Sequence, residues 1–182
     1  MDTHWWQQVV STVATEFSDL PDAAQTTRML VRLLMAALLG GLLGWERESK
    51  GQAAGVRTHM LVAMGAALFV VVSAQIEMGQ EDLSRVIQGI VAGVGFLCAG
   101  TILKSDNQGD VKGLTTAAGL WLTAAVGVAA GLGRETTAVL ATVLALAILS
   151  LMPVLIRTRA KPASMLVSAD ASEDAKPPVV SP

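Results

Sequence analysis

Five long apolar runs follow one another along this chain, and they constrain its fold more than any other feature. They cover Met29–Trp45, Met60–Ile76, Val86–Leu103, Leu114–Leu132 and Thr136–Ile156. A helix needs roughly 17–25 apolar residues to cross a bilayer, and every run falls within that range. The runs are rich in Ala, Leu and Gly and show no period-two alternation, which argues against strands. The sequence therefore predicts an all-α integral membrane protein, a bundle of five short transmembrane helices.

The composition disfavours the alternative, in which the runs are core helices of a soluble protein. Hydrophobic residues make up 52% of the chain and charged residues 15%, whereas soluble domains carry about 25% charged residues. The formal net charge of −2 gives no basic surface for nucleic acid, so the expected surroundings are membrane lipid. The single cysteine, Cys98, excludes an intrachain disulfide and a cysteine-rich metal site. We predict no metal site and no cofactor.

Segments of different character flank the predicted transmembrane domain, residues 29–156. Residues 1–28 lack the basic start and apolar run of a signal peptide, so we expect no cleavage there. Apolar residues recur at every fourth position, which predicts an amphipathic helix on the membrane surface, with a disordered segment as the alternative. These residues are Trp5, Val9, Val13 and Phe17. Residues 157–182 have no apolar periodicity and are predicted to form a disordered tail.

Basic residues near the spans predict the orientation, because they accumulate on the cytoplasmic side. One side holds Arg47, Lys50, Arg57, Lys104, Lys112, Arg157, Arg159 and Lys161. The other side holds Arg28, Arg85 and Arg134. This asymmetry places the N-terminus outside and the C-terminus in the cytoplasm. Arg32 lies inside the first span near its outer end, from which it can reach the interface.

Small residues at four-residue spacing predict where the helices pack, because small side chains let backbones approach in lipid. The predicted packing residues are Gly40, Gly44, Gly89, Gly93, Gly95, Ala99 and Gly100, and Gly127 and Gly131 share the same spacing. The third span is the richest in glycine, and we expect it at the centre of the bundle. The alternative is that its bare backbone lines a solute path.

Polar residues at the inner ends of three spans form a candidate functional cluster. Its members are Glu46, Arg47, Arg57, Thr58, His59, Lys112, Thr115 and Thr116. We expect Glu46 to form a buried or half-buried ion pair with Arg57 at the membrane boundary. We also expect Thr115 and Thr116 to cap the fourth span. The alternative is a set of solvated loop charges that obey only the topology rule.

Three ordered blocks within residues 28–156 resemble the MgtC/SapB membrane family. The first block comprises Gly40–Glu48 and Ala54–Ala63, the second is Gly93–Gly100, and the third is Val111–Ala118 with Trp121. In the second block the family often has glycine where this chain has Cys98. The resemblance is to short members, which lack the C-terminal cytoplasmic domain of longer ones.

The resemblance implies a bacterial inner-membrane protein linked to magnesium homeostasis and to virulence or stress adaptation. One branch of the family is thought to restrain the ATP synthase. The first functional hypothesis is therefore a non-enzymatic regulator or accessory factor that contacts another inner-membrane protein and can form a homo-oligomer. The alternative is a small oligomeric ion transporter or channel. A membrane enzyme is the weakest hypothesis, since no P-loop or catalytic constellation is found, and no catalytic residue is predicted.

Overall fold

The computed structural model describes residues 4–16, 22–76, 79–103 and 113–159, and all the regular structure in these ranges is α-helical. The helices are α1 (His4–Glu16), α2 (Ala23–Ser49), α3 (Val56–Gln75), α4 (Gln80–Leu103), α5 (Leu114–Gly131) and α6 (Glu135–Arg159). The prediction of an all-α membrane bundle preceded by a short N-terminal helix is confirmed.

Four of these helices, α2 to α5, are long and apolar enough to cross a membrane. In α6 the described side chains cover Glu135–Leu151, an apolar stretch that is shorter; the fifth span stays a prediction. The helix that contains the first predicted span begins before Met29, because Asp22 caps α2 at its N-terminus. The Asp22 Oδ1 accepts a hydrogen bond from the Ala24 backbone N–H at 3.1 Å, which satisfies one of the free amides of the first turn.

The chain divides into two units within α6. The first runs from Met1 to Val143 and the second from Leu144 to Pro182. The described part of the second unit is the remainder of α6. The first unit contains α1 to α5 and the start of α6, and it holds all the features described below.

Helices α2, α3 and α5 pack against one another at the level of their backbones. A Cβ added at Gly40 would lie 2.6 Å from the His59 carbonyl oxygen. One added at Gly131 would lie 2.7 Å from the Ala67 carbonyl oxygen. A Cβ on Gly127 would meet the carbonyl oxygen of Ala63 even more closely. These glycines are therefore required by close helix packing, as their four-residue spacing predicts.

Helix α4 is attached to the side of this three-helix core, and the expectation that it forms the centre is wrong. Only 11% of its apolar stretch is buried, compared with 50% for α5. It packs through Ile90 and Val94 against residues of α3 and α5. A Cβ would meet nothing within 4 Å at its predicted packing glycines, which are Gly89, Gly93, Gly95 and Gly100. Ala99 is exposed as well, so these residues pack against no other helix within the described part of the chain.

Helix α1 buries none of its residues, and the rings of Trp5 and Trp6 stack with their centroids 4.1 Å apart. An exposed apolar helix of this kind fits the predicted position on the membrane surface, which stays a prediction. Phe17, the last residue of the predicted apolar face, lies outside the described residues. The predicted tail also lies outside them, except that α6 continues through Arg159.

Arg32 of α2 closes the C-terminus of α5. Its Nη1 donates a hydrogen bond to the Gly131 carbonyl oxygen at 3.1 Å. The last carbonyls of a helix lack partners within the helix and carry partial negative charge, so a guanidinium there is favourable. Gly133 has a positive φ of 73° and lies against the guanidinium. The charge that the sequence placed near the interface therefore serves as a helix cap.

Candidate functional site

The C-terminus of α2 and the N-termini of α3 and α5 meet at one end of the bundle, which we call the polar end. Gly44 allows the approach of α2 to α3, because a Cβ there would lie 2.6 Å from the Cα of Val56. The connecting loop turns at Gly51, whose φ is 68°. Glu48 Oε2 then accepts a hydrogen bond from the Val56 N–H at 2.8 Å, which caps the first turn of α3.

A buried ion pair lies at the centre of the polar end. Arg47 Nε donates to Glu46 Oε2 at 2.6 Å, and the two side chains are only 6% and 11% exposed. Adjacent residues on a helix normally point in different directions, so this pairing requires both side chains to bend towards each other. The other carboxylate oxygen, Glu46 Oε1, is buried and has no hydrogen-bond partner among the described residues.

His59 lies fully buried beside the ion pair. Its Nδ1 is 3.0 Å from the Gly55 carbonyl oxygen, and because a carbonyl only accepts, Nδ1 carries the hydrogen. The other ring nitrogen, Nε2, is buried without a partner in the described part of the chain. It faces Gly119 of α5, where an added Cβ would lie 3.7 Å from Nε2 and 3.8 Å from the Arg47 Cδ. The space at Gly119 therefore borders both the imidazole and Arg47, and a methyl group there would contact both.

A hydrogen bond from α5 to the loop between α2 and α3 completes the arrangement. Thr116 is buried, and its Oγ1 donates to Gln52 Oε1 at 3.0 Å. The polar cluster therefore comprises Glu46, Arg47, Gln52, His59 and Thr116. Buried polar groups without partners are costly. The two open acceptors, Glu46 Oε1 and His59 Nε2, are thus suited to receive hydrogen bonds from a donor such as water.

The structure brings only part of the predicted cluster together. Arg57, Thr58 and Thr115 are exposed, and Lys112 lies outside the described residues. The predicted ion pair between Glu46 and Arg57 is wrong, because Glu46 pairs with Arg47 instead.

The predicted threonine caps are also wrong. The N-cap of α5 is Gly113, with a φ of 93° and no side-chain cap, and Thr116 turns towards Gln52. The left-handed conformation at residue 113 explains why glycine begins this helix.

Sequence reasoning missed Gln52 and the role of Cys98. Nothing in the spacing distinguishes Gln52 from other loop residues, so no sequence signal could have identified it. Cys98 Sγ donates to the Ala117 carbonyl oxygen at 3.1 Å and so links α4 to α5. Within the described residues, no group of three His, Cys, Asp or Glu side chains could hold a metal ion.

An apolar groove lies between α3 and α4. It has a volume of about 590 Å³ and is lined by apolar side chains and glycine. Lining residues include Phe69 of α3 and Gly93 and Leu97 of α4. All its lining residues belong to the apolar stretches of these two helices. We call it the lateral groove.

Backbone-packed apolar helices with a buried ion pair at one end define this chain as a helical, polytopic membrane protein. It belongs to the MgtC family, whose sequence profile matches residues 33–158. No solved structure matches the chain.

Three curated relatives illustrate the similarity. The putative magnesium transporter YhiD of Escherichia coli is 39% identical over 131 residues, which cover 68% of this chain and 60% of the relative. The protein MgtC of Brucella abortus is 48% identical over 122 residues, 67% of this chain and 50% of the relative. The protein SrpB of Synechococcus elongatus is 49% identical over 113 residues, 56% of this chain and 62% of the relative. The chain thus spans between half and two thirds of the length of each relative.

Proposed function

We propose that this chain is a non-enzymatic accessory or regulatory protein of the bacterial inner membrane. It is linked to magnesium homeostasis and to virulence or stress adaptation, and it acts through lateral contacts with another membrane protein. The link to magnesium rests on family membership and on the names of the E. coli and Brucella relatives. By family resemblance, the ATP synthase is a candidate partner.

The lateral groove is the observation that carries this proposal. Magnesium prefers oxygen ligands and keeps much of its hydration shell, whereas this groove offers apolar side chains and bare helix backbone. Such a surface fits an apolar transmembrane helix, because close packing drives helix association in lipid. The close backbone contacts among α2, α3 and α5 favour a rigid core, and a rigid core can hold the lateral groove in a fixed shape for a partner.

The polar cluster supports a second candidate, a small oligomeric ion transporter or channel. A buried arginine is unusual at the edge of a membrane, and charged residues there often mark ion pathways. Arg47 is 5% exposed, and two acceptor atoms beside it are open. In this alternative the cluster receives a hydrated ion, and several copies of the chain enclose the path.

Magnesium flux into proteoliposomes that contain only this protein separates the two functions. If the protein is a regulator, magnesium flux should equal the background rate that is measured with protein-free liposomes. Flux that is saturable and is abolished by Arg47→Ala, but not by the exposed control Arg57→Ala, would establish the transporter instead.

Photocrosslinking in cells tests the lateral contact directly. A crosslinking residue at Phe69 in the groove is matched by one at Leu38 of α2, since the two side chains are 63% and 61% exposed. We expect position 69, and not position 38, to capture another membrane protein that mass spectrometry identifies. Capture of lipid alone at both positions, or of the same proteins at both, contradicts the proposal.

The orientation with the N-terminus outside and the C-terminus in the cytoplasm has its own test. In a Cys98→Ala background, Glu81→Cys should react with an impermeant maleimide added to intact cells. Lys50→Cys should react only after the inner face is exposed. Both native side chains are exposed, so a difference in labelling reports the side of the membrane and not burial within the protein. The reverse pattern would invert the topology.

A further inference from the structure

Three arginines lie together at the end of the bundle opposite the polar end, and we call Arg28, Arg32 and Arg134 the arginine patch. Arg28 and Arg32 are four residues apart on α2, so they project from the same side of that helix. Arg134 follows Gly133, which lies against the Arg32 guanidinium. The Arg134 backbone N–H donates to the Ala129 carbonyl oxygen at 2.9 Å, which holds this turn on the end of α5. The turn after α5 therefore brings the three arginines into one region.

No carboxylate of the described residues neutralises the arginine patch. Arg28 and Arg134 are exposed, and none of the three arginines forms an ion pair within the described part of the chain. The acidic residues that flank the patch in the chain serve helix N-termini instead. Asp22 caps α2, and Glu135 lies in the first turn of α6, where a negative charge is favourable. Three positive charges repel one another, and a bound anion offsets that repulsion.

The Arg32 guanidinium has a side that is open to a ligand. Its Nη1 donates to the Gly131 carbonyl oxygen, whereas Nη2 and Nε have no hydrogen-bond partner among the described residues. An added Cβ at Gly133 would lie 2.5 Å from Nη2 and 3.2 Å from Nε. Glycine at this position therefore leaves that side of the guanidinium uncovered. The N–H groups of Nη2 and Nε are parallel, a geometry that matches two oxygens of one phosphate group.

We propose that the arginine patch binds the phosphate group of an anionic phospholipid. Arg32 lies within the apolar run that begins at Met29, in a helix suited to cross the membrane. A guanidinium near the end of a span reaches the interface, where the lipid phosphates lie. Arg32 holds the phosphate oxygens, and the exposed Arg28 and Arg134 favour a lipid with net negative charge. This site is independent of the proposed function, which uses the lateral groove.

Exposed arginines inside and outside the patch form a matched test. Arg85 is exposed like Arg28 and Arg134, but it belongs to α4, which packs against α3 and α5 and not against α2 within the described residues. Native mass spectrometry of the delipidated full chain can measure binding of phosphatidylglycerol and of zwitterionic phosphatidylcholine. Arg28→Gln and Arg134→Gln should each weaken phosphatidylglycerol binding about fivefold, and Arg85→Gln less than about twofold. Equal losses in all three variants, or equal affinity of the unmodified protein for the two lipids, overturn the proposal.

Glycerol 3-phosphate distinguishes a lipid from a soluble phosphate compound. It carries an anionic phosphate group without acyl chains, so even in large excess it should not displace bound phosphatidylglycerol from the unmodified protein. Displacement would show that the patch is a site for soluble phosphate compounds and would overturn the assignment to a lipid.

Thermal unfolding gives a second readout and also verifies that the variants fold. A ligand that binds only the folded state raises its unfolding temperature. Phosphatidylglycerol should therefore raise the midpoint of the unmodified protein and of Arg85→Gln, and it should raise that of the double variant Arg28→Gln/Arg134→Gln much less. An equal rise in the double variant would mean that the lipid binds elsewhere on the protein and would overturn the proposal.

Arg32→Lys tests the two-donor contact. Lysine keeps the positive charge, but its single ammonium cannot cap the Gly131 carbonyl and also present two parallel N–H groups. Phosphatidylglycerol binding should weaken about 2- to 10-fold through the lost hydrogen bond. Affinity equal to that of the unmodified protein would mean that Arg32 does not hold the phosphate, which contradicts the proposed geometry.

Discussion

Two glycine-rich surfaces of this molecule look alike in sequence and differ completely in structure. In the core of α2, α3 and α5, glycines such as Gly40 and Gly127 lie against the backbone of a neighbouring helix. On α4, Gly89 and Gly93 have the same spacing but face open space. The first surface is required for the fold of one chain. The second has no close neighbour among the described residues, so substitutions in the two surfaces should have separable consequences.

The largest expected effect is at the polar end of the core. Arg47→Ala leaves the Glu46 carboxylate buried without a partner, which typically costs about 3–5 kcal/mol. Arg57→Ala removes the same charge from an exposed position and should change stability by less than about 0.5 kcal/mol. Thermal and denaturant unfolding in detergent can measure both. If the two variants are equally stable, the buried ion pair does not contribute to the core.

Adding a single methyl group gives the most direct contrast between the two glycine surfaces. Gly127→Ala forces a Cβ against the Ala63 carbonyl oxygen and should destabilise the chain by about 1–3 kcal/mol. Gly93→Ala meets nothing within 4 Å and should be neutral or stabilising by up to about 1 kcal/mol, because alanine favours the helix. The unfolding midpoints of the two purified variants, compared with that of the unmodified protein, measure this difference. A destabilising Gly93→Ala would show that α4 is packed after all.

Neighbouring threonines provide a smaller contrast. Thr116→Val removes the hydrogen bond to Gln52 and should cost about 0.5–1.5 kcal/mol. Thr115→Val changes an exposed side chain and should be close to neutral. The unfolding free energies of the two variants can be compared under one set of conditions. A larger loss at position 115 would revive the helix-capping role that the sequence suggested.

The smallest expected effect concerns the attachment of α4. Cys98→Ala removes the S–H donor to the Ala117 carbonyl oxygen. Because thiols are weak donors, the cost should not exceed about 0.5 kcal/mol. Normal yield and an almost unchanged melting temperature are expected, and they also make the variant a suitable background for labelling. A large loss of folded protein would mean that this contact holds α4 in place.

Much of the architecture could be predicted because hydrophobic length and spacing are local properties of the chain. The helices follow from runs such as Leu114–Leu132, and the packing of Gly40 and Gly44 follows from small residues at helical spacing. The exposure of α4 could not be predicted in this way. The spacing of Gly89 and Gly93 shows that a close neighbour can be accommodated, but it does not say whether that neighbour belongs to the same chain.

For the polar cluster, the sequence predicts the location at the ends of the helices, but the predicted ion pair is wrong. Loop proximity predicts a pair between Glu46 and Arg57, whereas the position of each arginine around its helix decides which one is buried and pairs with Glu46. Arg47 follows Gly40, Leu43 and Gly44 at steps of three or four, and these residues are buried along one side of α2. That periodicity was present in the sequence and would have identified Arg47 as the buried partner.

The cap that Arg32 forms on α5 has a consequence for how the molecule is made. The arginine and the Gly131 carbonyl are 99 residues apart in the chain. During synthesis from the N-terminus, α2 enters the membrane while its acceptor has not yet been translated. Until α5 arrives, the guanidinium needs water or lipid headgroups as its partner. The hydrogen bond therefore forms only once late-synthesised α5 has joined early-synthesised α2, and it marks the completion of the three-helix core.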